Sequence, residues 1–229
     1  MKQEFIETGN TQKFKDVCDE LTSATSLIGP SLAMVTGPAG RGKTEAARHY
    51  AVNSAAIYIP PMNIRSPAMV LREISFELAG TRPSRSDACL NIIGEEMAKN
   101  RRLIMIDEAD LLEMKVLEML RNVNERFACP IMLIGEEDLK GKIGSRRRLA
   151  SRIRRRMDFG AINQYDIAQF FKTSLGVKLT QEVAITINKH ANGDWRPVLT
   201  SAIGIERSMK TSGTKECTVE LVNDVIKHN

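Results

Sequence analysis

The segment GPAGRGKT (37–44) fits the pattern G-x-x-x-x-G-K-[ST] without a mismatch. The chemistry served by that spacing is the binding of a nucleoside triphosphate with Mg²⁺. Gly37, Gly40 and Gly42 let the loop of Gly37, Pro38, Ala39, Gly40, Arg41 and Gly42 curl around phosphate oxygens and turn its N–H groups inward, every residue but Pro38 supplying one, at the start of a helix whose dipole favours anions. Lys43 is placed to reach the β- and γ-phosphates, and the Thr44 hydroxyl to coordinate Mg²⁺. LIMIDEAD (103–110) supplies the complementary acids. Asp107 ends an apolar run, so its carboxylate emerges at a strand's C-terminal edge, where it can hold the Mg²⁺ water shell alongside Thr44. Glu108 follows and is placed to polarise an attacking water. The letters DEAD do not make a helicase, because such enzymes need two RecA-like domains and no second one is legible.

The second concentration of chemistry is SRRRLASRIRRR (145–156), with seven arginines and no acid. The chain carries a net charge of +5, so everything outside this run sums to −2. A pI near 9.1 therefore reflects one concentrated feature and argues less for nucleic acid than it first suggests. Leu149, Ile153 and Met157 recur at i, i+4 and i+8, which predicts a packed helical face from which Arg148, Arg152 and Arg155 project together. Arg146, Arg147, Arg154 and Arg156 read equally as solvated charge or as interface lining.

The elements that must position these residues follow from hydrophobic periodicity. A chain of 229 residues has room for one α/β core and a small appended domain. A helix is expected over roughly 11–24, then buried strands at 31–37, 55–60, 102–107 and 130–135, with a fifth at 157–162. Helices at about 44–53, 67–79, 86–98 and 111–127 fall between them. Strands alternating with helices imply a mostly parallel five-stranded sheet covered on both faces. After about 164 only helical patterns remain. The expected division is an α/β nucleotide-binding domain with an N-terminal helix over 1–163 and an all-helical lid over 164–229. Cysteines 18, 89, 129 and 217 have neither zinc-ligand nor disulfide-framework spacing. No signal-peptide h-region and no run of about 18 apolar residues is present, so a cytoplasmic protein without a membrane role is expected.

The order of these motifs resembles the AAA+ ATPases over roughly residues 20–210. The resemblance implies a P-loop AAA+ fold and ATP hydrolysis to ADP and phosphate. ANGDWRPVLTSAI (191–203) is similar to that family's sensor-2 segment, with Arg196 at the position that reaches the γ-phosphate of its own subunit. LASRI (149–153) is similar to the Ser-Arg element carrying the arginine finger, which makes Arg152 the expected catalytic residue in trans. One departure stands out. The fourth strand ends PIMLIGEEDL, placing Glu136 or Glu137 where the family has a polar sensor-1 residue; a second carboxylate near a γ-phosphate is repulsive, so slow hydrolysis is expected.

Within the AAA+ proteins the chain resembles the transposition target-selection ATPases of the phage Mu protein B and TnsC type. The likeness rests on its compact length, Glu7-Thr8 before the first strand, GPAGRGKTEAARHYA and the short lid. It implies an oligomer (ring, spiral or filament) that assembles on double-stranded DNA with ATP and delivers that DNA to a transposase. About thirty residues precede the first strand, too few for a separate DNA-binding domain, so Asn63, Arg65, Arg82 and Arg85 are the expected DNA contacts. Aromatic residues make up only 5% of the chain and do not interleave with these positions, which favours duplex backbone contact over base stacking. Two alternatives remain open: a helicase-loader-like or other protein-remodelling switch, and a metabolic P-loop kinase, which the helical C-terminal region fits poorly.

Overall fold

The computed structural model describes residues 4–23, 29–60, 66–214 and 216–228. The apolar runs become strands β1 (Leu32–Thr36), β2 (Ile57–Ile59), β3 (Ile104–Ile106), β4 (Ile131–Gly135) and β5 (Ile153–Asp158), in sheet order β2-β3-β4-β1-β5. Every neighbouring pair is parallel. β1 and β4 are buried at all positions, as central strands covered on both faces must be. Side chains alternate between two cores: Leu32 and Met34 enter one with Ile104 and Leu133, while Ala33 and Val35 enter the other with Met105 and Ile134. This order puts the turns after β1 and β3 at the same edge of the sheet, on either side of β4.

The chain divides into two compact units. One comprises Gln12–Pro38 and Lys43–Phe159; the other comprises Met1–Thr11, Ala39–Gly42 and Gly160–Asn229. The helices are α1 (Gly9–Thr22), α2 (Lys43–Val52), α3 (Pro67–Ala79), α4 (Ser86–Lys99), α5 (Met114–Phe127), α6 (Asp138–Gly144) and α7 (Arg147–Ala150), followed by α8 (Gln164–Phe170), α9 (Gln181–Ala191), α10 (Trp195–Ser212) and α11 (Val219–Lys227). Local signals set their ends. Ser66 caps α3 by accepting from the Met69 amide, Pro67 opens it, and Gly80 closes it at φ 70°. Asn163 and Asp166 form a reciprocal capping box on α8. In the helical unit, Ile167, Phe171, Ile187, Val198, Ile205 and Val222 share one core.

The arginine run departs from expectation. Only Arg147–Ala150 is helical, and β5 begins at Ile153, four residues before the expected fifth strand. The i, i+4 spacing that suggested a helix also satisfies the period of two. A bulge then shifts the register, so Leu32 pairs with Ile153 but Ala33 with Arg155. Ile153 and Met157 consequently enter opposite cores, and Arg148, Arg152 and Arg155 share no helix face.

Candidate nucleotide-binding site

In the α/β unit, β1 delivers Thr36 to the sheet edge, and Gly37 and Pro38 turn away from it. Lys43, buried in the first turn of α2, donates from Nζ to the carbonyls of Gly37 (2.6 Å) and Pro38 (2.8 Å). The Thr44 hydroxyl donates to Asp107 Oδ2 at 2.8 Å. Asp107 is only 5% exposed, because β3 carries it to the end of a fully buried strand. The Tyr58 hydroxyl donates to the same Oδ2 at 2.8 Å, and the Glu108 amide donates to Oδ1 at 3.0 Å. Glu108 itself is exposed and sits in the left-handed region at φ 49°. Partial desolvation, then repulsion from Asp107, Asp110 and Glu136, holds its carboxyl above the usual glutamate range.

Two further networks brace this edge. Asp158, at the end of β5, accepts from the Thr36 hydroxyl at 2.8 Å and from Lys140 Nζ at 2.7 Å. Asp110 Oδ1 accepts from the Glu136 amide at 2.9 Å, tying the turn after Asp107 to the end of β4. That contact fixes Glu136 by its backbone and leaves its side chain exposed, while Glu137 precedes the first turn of α6.

The helical unit holds the middle of the phosphate-loop motif. The Trp195 amide donates to the Gly40 carbonyl at 2.9 Å, and Arg41 donates to the Asn192 carbonyl at 3.0 Å. Gly40, at φ +75°, is pressed so closely that an added Cβ would lie 1.9 Å from Asp194 Oδ1. Asp194 caps α10, accepting from the Arg196 amide at 2.7 Å. Arg196 is exposed in the first turn of that helix.

The remaining expected residues scatter. Arg152 pairs with Glu125 at 2.5 Å, and Arg154 and Arg155 share Glu20 at 3.3 and 2.6 Å. Arg156 donates to the Ala150 carbonyl at 3.0 Å. Arg82 grips Glu73 through two hydrogen bonds (3.0 and 2.9 Å) and stacks over Phe76. Arg85 pairs with Asp87 at 2.7 Å. Asn63 and Arg65 lie outside the described residues. Sequence reasoning passed over Tyr58 and Asp194. An aspartate just before a helical run signals an N-cap, so Asp194 was within reach; a tyrosine inside a short apolar strand carries no comparable signal.

The donor set fits Mg²⁺ and phosphate. Thr44 Oγ1 and the Asp107 carboxylate are hard oxygen ligands held side by side, and the adjacent ammonium of Lys43 lies against the loop carbonyls of Gly37 and Pro38.

A family model described as an AAA domain matches residues 28–143, just over half of the chain. The ATP-dependent target DNA activator B of Escherichia phage Mu is 29% identical over 172 residues, covering 71% of this chain and 54% of the relative. The Mu-like prophage FluMu DNA transposition protein B of Haemophilus influenzae is 29% identical over 137 residues, covering 58% and 46%. The chain thus spans about half the length of the curated relatives it matches. Among solved structures, Cdc6p from Pyrobaculum aerophilum superposes with a TM-score of 0.72 at 16% identity, over 99% of this chain and 69% of that one. The Thermotoga maritima RuvB Holliday junction branch migration motor does so with a TM-score of 0.66 at 18% identity, over 98% and 70%. These likenesses establish the fold. Because the matched span holds Lys43, Thr44, Asp107 and Glu108 in the geometry just described, the chain belongs to the AAA domain family.

Proposed function

We propose that this chain is a Mg²⁺-dependent ATPase that assembles as a homo-oligomer on double-stranded DNA when ATP is bound and presents that DNA to a transposase. The observation that carries the reading is the 29% identity to a target DNA activator over 71% of the chain. The phosphate loop and the acids at the end of β3 supply the means. Lys43 binds the triphosphate, and Thr44 and Asp107 hold the metal. When bound, Mg²⁺ neutralises phosphate charge and orients the γ-phosphate. Glu108, with its raised proton affinity, orients the attacking water and takes its proton. Arg196, in the first turn of α10 within the helical lid (164–229), contacts the γ-phosphate of its own subunit.

Arg152 precedes β5, whose first residue pairs with the first residue of β1, whereas the phosphate loop follows the last. Five residues of strand put about 16 Å between them. That separation supports a role for Arg152 in a neighbouring copy's site, where an arginine finger is worth roughly 10³–10⁵ in rate. Leaving Glu125 costs at most about 1 kcal/mol for such an exposed pair. Asn63, Arg65, Arg82 and Arg85 contact the DNA backbone, and the two ion-paired arginines exchange their carboxylates for phosphates. The protein works in the cytoplasm of a bacterial host.

Electron microscopy with duplex DNA tests this reading, comparing a slowly hydrolysed ATP analogue with ADP. Filaments or rings on DNA with the analogue alone are expected. Nucleotide-driven oligomers that ignore DNA would replace the reading with a protein-remodelling one.

A further inference from the structure

We infer that Tyr58 is a positioning residue for the metal-holding carboxylate of Asp107, an inference that rests on the nucleotide-site reading above. A carboxylate offers about four acceptor positions. Asp107 Oδ2 spends two, on the hydroxyls of Thr44 and Tyr58, both at 2.8 Å. Oδ1 spends one on the Glu108 amide at 3.0 Å. One position is left, on Oδ1, and it is the one available to a water of the Mg²⁺ shell. The Thr44 proton is committed to Asp107, which leaves the lone pairs of Oγ1 for the metal.

The three donors come from different parts of the chain: Thr44 from α2, Glu108 from the turn after β3, and Tyr58 from β2. β2 also holds the Asp107 backbone, since the Asp107 amide donates to the Ile59 carbonyl at 3.1 Å. The Tyr58 ring is braced in turn. It packs against the core beneath α2, and the Arg48 guanidinium, one turn after Thr44, lies 5.6 Å from its centroid. Removing only the Tyr58 oxygen would reopen a position on Oδ2, so that the carboxylate could turn and offer either oxygen. The ring's packing would be unchanged.

Loss of an outer partner of a metal-holding group typically weakens the metal by 10–100-fold. The test titrates Mg²⁺ into the full chain with a fluorescent ATP analogue, following nucleotide affinity in wild type, Tyr58→Phe and Tyr50→Phe. Tyr50 is the control because its hydroxyl donates to a different carboxylate, Asp19, at 2.8 Å. All three should bind the analogue equally in EDTA. Tyr58→Phe alone should need about 10–100 times more Mg²⁺ for half-maximal tightening. An unchanged Mg²⁺ midpoint would overturn the inference. So would equal weakening with and without Mg²⁺, which marks a packing role. A wild-type chain that binds the analogue without any response to Mg²⁺ would instead remove the nucleotide-site reading on which the inference stands.

Discussion

Gly40→Ala should destabilise the helical unit by an amount that depends on Asp194. The substitution places a Cβ 1.9 Å from Asp194 Oδ1 and 2.2 Å from its Cγ, at a backbone φ of +75°. The left-handed conformation costs a non-glycine residue roughly 1–2 kcal/mol. Displacing the carboxylate breaks the cap on the Arg196 amide, worth about 1 kcal/mol, and residual crowding adds about 1 kcal/mol. Gly40→Ala alone should therefore cost about 3–4 kcal/mol and Asp194→Ala alone about 1 kcal/mol. Alanine at 194 removes the three atoms that clash, so the double variant should cost only about 2–3 kcal/mol, less than the two singles together. Urea unfolding followed by the fluorescence of Trp195, the chain's single tryptophan, reads this directly. Its amide bonds the Gly40 carbonyl and its ring stacks edge-on against Phe170 at 5.7 Å. Costs that add to within about 0.5 kcal/mol would refute the contact.

Glu108→Gln should retain Mg²⁺-ATP binding and lose about 10²–10⁴ in steady-state hydrolysis. The same substitution removes a carboxyl whose folded pKa is raised; such a group's contribution to stability is lost as pH rises through that pKa. The variant should thus melt above wild type at neutral pH, with the gap closing in acid. Hydrogen bonds from Arg155 and Arg154 hold Glu20 below the usual range, as do those of Lys140 and Thr36 for Asp158. Their contribution is present above the unfolded carboxylate pKa and is lost as pH falls through the folded values, so Arg155→Ala should raise the acid-unfolding midpoint seen by circular dichroism. Arg152→Ala should cost at most about 1 kcal/mol in stability but 10³–10⁵ in hydrolysis. Adding Lys43→Ala chains, whose arginine is intact, should restore part of that rate; no restoration would argue against action in trans.

The sheet and the phosphate loop were legible because their signals are local. SLAMVTG is too short and too apolar for anything but a buried strand, and GPAGRGKT follows it directly. β5 was displaced because charge hid it: IRRRMD has a strand's burial only at Ile153 and Met157, and their spacing serves both periods. Side-chain partnerships across long separations were the least legible. Nothing near Arg152 in sequence announces Glu125, and Tyr58 meets Asp107 only because β2 and β3 are neighbours with Tyr58 opposite Met105. Thr44 and Asp107 were joined in advance because two independent motifs imply one metal between them.

The most direct test of the account is the anisotropy of a labelled DNA duplex titrated with the chain at several salt concentrations. The measurement compares a slowly hydrolysed ATP analogue with ADP, and wild type with Lys43→Ala. The account predicts tight binding only for wild type with the analogue, with affinity falling steeply as salt rises, because phosphate contacts release counterions. Binding that is equal in both nucleotides, or equal in Lys43→Ala, would contradict it.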